Sequence, residues 1–252
     1  MTAQPPALVG ISHGTSSPEG RRAVRGLHDA VAEALAQRHP DATPTVRLGH
    51  VDVEQPDVPA TLASLADGEP AVVVPLLLSA GYHVYVDLTD AVEEETARPV
   101  ALAGALGPDD RLASVLLRRL REAGLRDDDR IVLAVAGSSD RRAVDDCVEQ
   151  ARRLSAAAER EVAVGFLSAA EPRLPDAVAA ARDRLTDGGR VVVANYLLAP
   201  GYFDDLARAA GAEVTAAPLL VPDEPAPSEL VEIVLDRYAA SVGALQDGAR
   251  RP

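Results

Sequence analysis

The chain has no lysine and no tryptophan, a single cysteine, a single methionine and only 3% aromatic residues. Each shortage excludes something. Without lysine there is no Gly-Lys-Ser/Thr phosphate loop, so nucleotide hydrolysis of the Walker type is excluded. Cys147 has no partner for an intrachain disulfide, which fits a reducing compartment. It lies in the helical stretch from Asp145 to Ala151, where it reads as a small packing residue rather than a nucleophile. The longest apolar runs, such as Val72 to Leu78, suit a strand and are too short for a membrane span. Positive charge is scarce as well: 25 basic against 39 acidic side chains leave a net charge of −14. That balance argues against nucleic acid and anionic membrane as partners. It still allows a small acidic ligand held by a few placed arginines, the only basic residue type here besides histidine. The start, Met1 to Ala7, has neither a basic cluster nor an apolar run, so no secretory signal is expected and a cytoplasmic location is.

What is present is a duplicated α/β pattern. Short Val/Leu/Ala runs alternate with longer amphipathic stretches, as in proteins with buried parallel strands. Strands are predicted near 7–12, 44–51, 70–77 and 99–104, then near 131–136, 161–167, 190–197 and 213–217. Helices are predicted near 19–38, 57–67, 86–96 and 109–123, then near 140–158, 173–186, 203–210 and 228–242. Gly49, Pro56 and Pro59 recur at identical spacing as Gly165, Pro172 and Pro175, each proline starting or preceding a helix. Leu106 to Asp109 recurs as Leu220 to Asp223. The chain therefore divides into lobes at 1–125 and 130–246, with the polar run Arg126 to Arg130 read as the linker.

The repeat is unequal in its chemistry. All five histidines fall in the first third of the chain. His13 and His83 end two apolar segments of the first lobe, at the sheet edge where open α/β folds bind ligands, and their counterparts are Ala136 and Phe203. Asp52, near the end of the second strand, aligns with Ser168. Two imidazoles and a carboxylate make a mixed N/O set suited to Fe(II), Co(II) or Ni(II); imidazole also transfers protons near neutral pH. Glu54, two residues on, competes with Asp52. Gly14 permits a tight turn after His13, and Thr15, Ser16 and Ser17 offer hydroxyls just before a helix, where anions are attracted. Gly81 frees the turn before His83, and Tyr82 either packs or faces a flat ligand; the counterpart loop keeps Gly201 and Tyr202. His28 and His39 read as solvated and His50 as structural. Arg21-Arg22 and Arg141-Arg142 open the first helix of each lobe and serve either anion recognition or a solvated face.

The turn His13-Gly14-Thr15 and the loop Leu78-Ser79-Ala80-Gly81-Tyr82-His83-Val84, with the duplicated segments Phe166 to Pro172 and Leu197 to Phe203, resemble the class II chelatases of tetrapyrrole synthesis. The likeness is to the CbiX/SirB type in its long form, and it spans nearly the whole chain. It implies two similar lobes, each a four-stranded parallel sheet flanked by helices, with the active cleft between them. It implies a lyase-class enzyme that inserts Fe2+ or Co2+, as substrate, into sirohydrochlorin without nucleotide hydrolysis, for siroheme or cobalamin. No permanently bound cofactor and a monomer or weak oligomer are expected. By the same resemblance His13 and His83 are the metal-binding and catalytic histidines, and Leu78, Ser79, Ala80, Gly81 and Tyr82 contact the tetrapyrrole. Asp52 stands where relatives usually carry Glu. A carrier of metal or tetrapyrrole would use the same ligands without turnover. A histidine phosphatase, which the strand-His-Gly-Thr sequence also resembles, ranks well behind: Ser12 occupies the place of its arginine, and the C-terminal half offers no second histidine.

Overall fold

The computed structural model describes residues 5–79, 81–185 and 188–248, and excludes the side chains of 82–85, 244 and 246–248. Two parallel sheets follow the two halves of the chain. The first contains β1 (Ala7–Ser12), β2 (Val46–His50), β3 (Ala71–Pro75) and β4 (Val100–Leu102), in the order β2-β1-β3-β4. The second contains β5 (Arg130–Val135), β6 (Val162–Phe166), β7 (Val191–Tyr196) and β8 (Val214–Thr215), in the order β6-β5-β7-β8. Leu8 pairs in register with Val46 and Val72, and Ile131 with Val162 and Val192. The central strands β1, β3, β5 and β7 are apolar and almost wholly buried, because helices cover both faces of each sheet.

The pleat sorts their side chains into separate cores. Leu8, Val72 and Val74 face one way, into a core they share with Ile131, Leu133 and Val135 of the second sheet. Val9, Ile11 and Val73 face the opposite way, toward α2 (Val58–Ala63) and α3 (Tyr82–Glu94). In the second sheet Val132, Ala134 and Val193 turn toward α6 (Leu174–Arg182) and α7 (Tyr202–Arg208). The shared core between the sheets holds α1 (Pro18–Arg38), α4 (Asp110–Glu122), α5 (Arg141–Ala158) and α8 (Ser228–Gly248).

The last helix of each half crosses over. α4 packs on α5 and β7 of the second sheet, while α8 packs on β3, β4 and α1 of the first. Leu230, Ile233, Val234 and Tyr238 bury the inner face of α8, at roughly 1.5–3 kcal/mol for each large apolar side chain. The Tyr238 hydroxyl donates to the Pro6 carbonyl at 2.6 Å, tying α8 to the start of β1. Arg118 to Glu229 and Arg111 to Asp236, each at 2.6 Å, cross from α4 to α8. The polar run between the two halves is tied down by hydrogen bonds. Asp129 is buried there, accepting from the Arg126 N–H at 2.8 Å and from the Arg190 guanidinium at 2.7 Å. Burial alone would raise its pKa, but the hydrogen bonds from Arg190 and Arg126 outweigh it and hold the carboxyl below the usual range.

One boundary differs from expectation in a way that bears on the site. α3 begins at Tyr82 rather than near 86, so His83 lies in the first turn of a helix instead of on the strand-end loop. Gly81 is the N-cap and makes no side-chain cap hydrogen bond. The sequence thus carries no Ser, Thr or Asp to mark the start, and Val84-Tyr85-Val86 reads locally as strand.

Candidate functional site

Strand order places the site. β1 lies between β2 and β3, so the connections from β1 and β3 leave in opposite directions and open a crevice at their carboxyl ends. β5 and β7 do the same in the second sheet. Residues following all four strands line one cavity of about 640 Å³, with His13 and Ser79 on the first-lobe side and Ala136 and Tyr202 on the second. That volume lies within the range of small-molecule sites.

His13 stands exposed in the cavity wall on a turn with little freedom. Gly14 has φ +92°, and a Cβ there would lie 1.9 Å from the Asp52 carbonyl, so only glycine fits. The Asp52 N–H donates to the His13 carbonyl at 3.0 Å. The Gly14 N–H donates to Ser12 Oγ at 3.2 Å, and that hydroxyl meets His50 Nδ1 at 2.8 Å. Burial pushes the His50 pKa down, against the pull of Glu54 and with help from Arg25 and Arg21. His50 is buried behind the turn and hydrogen-bonds with the Ser12 hydroxyl there, in keeping with a structural place inside β2. Glu54 completes the support: its carboxylate accepts from the Thr15 N–H at 2.8 Å and pairs with Arg21 Nε at 3.1 Å. Ser17 then caps α1 through the Gly20 N–H at 3.2 Å.

The candidate residues separate into those that line the cavity and those that do not. Leu78, Ser79 and Gly81 line the cavity with His13. Ala80 lies outside the described residues, as do the side chains of Tyr82 and His83. Asp52 is exposed, and its Oδ1 accepts from the Val53 N–H at 2.7 Å; neither Asp52 nor Glu54 is part of the cavity wall, although Val53 between them is. Among the described residues no arginine lines the cavity. Arg21 is engaged by Glu54, Arg22 by Asp223 at 3.4 Å and Arg142 by Asp140 at 3.2 Å. The hydroxyls of Thr15, Ser16, Ser138 and Ser139 line it beside the N-termini of α1 and α5, where an acidic ligand is attracted.

Several contributors escaped the sequence reading. Tyr196, at the end of β7, donates its hydroxyl across the cavity floor to the Leu78 carbonyl at 3.0 Å. It is buried, and desolvation holds its pKa well above the ordinary 10, so it remains a hydrogen-bond donor. Cys147 on α5 reaches the same loop by hydrogen bonding with Ser79; burial, with Asp146, pushes its thiol up to about 11, so it is not a thiolate nucleophile. The second lobe thus holds the first-lobe loop that leads into His83. Phe203, the counterpart of His83, is 37% exposed and lines the cavity beside Tyr202. A single chain offers no signal for such contacts, because they join residues about 70–120 positions apart.

Solved chelatases have this architecture. SirB from Bacillus subtilis with Fe3+ matches with a TM-score of 0.71 at 18% identity, over 97% of this chain and 98% of that one. The sirohydrochlorin chelatase SirB from Bacillus subtilis subspecies spizizenii in complex with cobalt matches with a TM-score of 0.69 at 15% identity, over 95% and 96%. At such identities the likeness establishes the fold: a chelatase-like pair of parallel-sheet lobes. The sirohydrochlorin cobaltochelatase of Sulfurisphaera tokodaii is 32% identical over 79 residues, which span 31% of this chain and 66% of that relative. The CbiX family model matches residues 7–123 and 130–222, and the chain belongs to the CbiX family.

Proposed function

We propose that this protein is a lyase-class chelatase that inserts Fe2+ or Co2+ into a sirohydrochlorin-type tetrapyrrole. The observation that carries the reading is His13, set in the wall of a two-lobe cavity at the switch point of the first sheet, in a chain of the CbiX family. The metal is substrate, and no nucleotide takes part.

His13 and His83, both within 1–125, bind the incoming ion and receive the pyrrole protons; 130–246 supplies the opposing wall. The repeat supports His83 in this role, because its counterpart Phe203, in the first turn of α7, lines the cavity. Insertion releases two protons from the macrocycle, and neutral imidazole is a competent acceptor near its own pKa of about 6.5. Few protein ligands suit an ion that must be surrendered, whereas a closed cage would retain it. With its side chain turned to the Val53 N–H, Asp52 serves as an outer carboxylate for the approaching hydrated cation rather than a close ligand. Leu78, Ser79, Ala80, Gly81 and Tyr82 form the macrocycle-contacting loop, held by Tyr196 and Cys147. We place the reaction in the cytoplasm with a monomer or weak oligomer; among the described residues no helix is long and apolar enough to cross a membrane.

The test is a multiple-turnover assay with metal-free sirohydrochlorin and Fe2+ or Co2+ under anaerobic conditions, without nucleotide. Repeated turnover supports the enzyme. Stoichiometric binding without turnover would make the protein a carrier instead.

A further inference from the structure

Among the described residues Val53, Val148, Tyr202 and Phe203 are the large apolar side chains left exposed, at 54%, 50%, 70% and 37%. Three of the four, Val53, Tyr202 and Phe203, line the same cavity, one from the first lobe and two from the second. Apolar surface left open to water is unfavourable, and its concentration at one cavity asks for an apolar occupant.

Val53 carries a second peculiarity. Its φ is +67°, the left-handed region that a β-branched residue disfavours most. The counterpart Ala169, with φ +54°, also lines the cavity, so the loop imposes this conformation in both lobes. The same local bond forms it: Glu54 N–H to the Asp52 carbonyl, and Ala170 N–H to the Ser168 carbonyl, both at 2.7 Å. That three-residue bond closes a γ-turn, a conformation strained for a side chain of any kind. Valine adds nothing to the core and places a branched pair of methyls in the cavity wall. Strained residues held at a cavity are commonly functional.

On the second-lobe side, the rings of Tyr202 and Phe203 lie 5.7 Å apart, tilted by 59°. A flat ligand can stack on one of these planes, not on both. Tyr202 is the more open, and Phe203 supports it edge-on. None of these three side chains offers a metal ligand or a base suited to pyrrole protons.

We infer that Val53 and the Tyr202–Phe203 pair grip the two apolar faces of the flat tetrapyrrole, Val53 from the first lobe and the aromatic pair from the second. This rests on the proposed chelatase reading and deepens it: the second lobe, stripped of metal ligands, recognises the macrocycle. Contacts made equally with bound substrate and transition state lower KM without raising kcat, so the pair sets affinity and ring specificity.

The test measures quenching of intrinsic or ligand fluorescence by metal-free sirohydrochlorin, insertion kinetics and Tm in Val53→Asn, Tyr202→Ala and, as a control outside the cavity, Val148→Asn. Val53→Asn is expected to leave Tm nearly unchanged while weakening macrocycle binding about fivefold, because it removes an exposed apolar contact and nothing from the core. Tyr202→Ala is expected to weaken binding about tenfold with an unchanged Tm, since a stacked ring contributes contact and little else at 70% exposure. In both variants the loss falls mainly on KM, and Val148→Asn matches the wild type. If the wild type metallates the tetrapyrrole and both cavity variants keep its KM and binding constant, the inference is overturned while the chelatase reading stands. A wild-type protein that neither binds nor metallates the macrocycle overturns both.

Discussion

The turns after β1 and β5 have the same backbone and opposite content. In the first lobe, Gly14 at φ +92° lies against the Asp52 carbonyl, and His13 projects beside it into the cavity. In the second, Gly137 at φ +91° lies equally close to the Ser168 carbonyl, and the neighbouring residue is Ala136. The supports differ as well. The first turn recruits Ser12, His50 and Glu54, a polar network that fixes the position of an imidazole. The second needs only Ser168, whose N–H and hydroxyl both donate to the Ala136 carbonyl, at 2.9 and 2.8 Å. Where a turn must present a reactive side chain, polar residues gather behind it; where it serves as wall, one serine suffices. The second lobe keeps the fold of the site and, through Tyr196 and Cys147, holds the opposing loop.

That contrast can be broken most forcefully at His13. His13→Ala should lower insertion by roughly 10²–10⁴, the usual worth of a positioned acid–base group, with Tm unchanged because the side chain is exposed. Ala136→His, its mirror image, should leave the insertion rate of the wild type unimproved. Steady-state rates at saturating metal check both; equal rates in His13→Ala and wild type would remove the asymmetry of function.

The shared backbone is tested by alanine at the two glycines. Gly14→Ala and Gly137→Ala each force a Cβ against a carbonyl and a disfavoured φ, and each should cost about 1–3 kcal/mol or more in denaturant unfolding. Only Gly14→Ala should also disable insertion beyond its loss of folded protein. A smaller effect is expected at the cross-lobe hydrogen bond. Tyr196→Phe leaves the Leu78 carbonyl without its donor and should cost about 1–2 kcal/mol of stability, together with a fall in kcat as the loop before His83 loosens. Unchanged kcat with reduced stability would confine Tyr196 to a structural role.

The smallest effect concerns the caps. α1 is capped by Ser17, which does not titrate, and α5 by Asp140, whose carboxylate accepts from the Arg142 N–H at 2.9 Å. That hydrogen bond, with the Arg142 side chain, holds the Asp140 pKa below its ordinary value of 3.8. A lowered folded-state pKa means the unfolded chain binds the proton more readily. Its contribution is therefore complete above about pH 4 and is lost as pH falls below that value toward the folded pKa. The protection factor of the Arg142 N–H, exchange corrected for its intrinsic pH dependence, should fall in that window, and Asp140→Ser should abolish that fall.

Much of this was legible in the sequence, for physical reasons. Buried parallel strands must be nearly continuous apolar runs, so Val72 to Pro75 and Val191 to Tyr196 announce themselves, and recurring Gly and Pro positions betray the duplication. The exchange of α4 and α8 was not legible, because an amphipathic helix records that it is covered without recording by which sheet. The start of α3 was missed because Gly81 caps it without a side chain. His13 stands out in the sequence because a histidine at a strand end interrupts an otherwise apolar segment, and the structure puts it in the cavity wall. Tyr196, Cys147 and Val53 gave no comparable signal: a tyrosine closing a strand, a cysteine in a helix and a valine in a loop are ordinary until the second lobe or the positive φ is seen.

The central claim is that the first lobe alone carries the metal site, and a cobalt titration without macrocycle tests it most directly. Under anaerobic conditions, Co2+ should bind with a stoichiometry of one per chain, giving visible ligand-field absorption. His13→Ala should abolish that absorption, and Phe203→Ala should leave it intact. Wild-type cobalt affinity and absorption in His13→Ala would contradict the account.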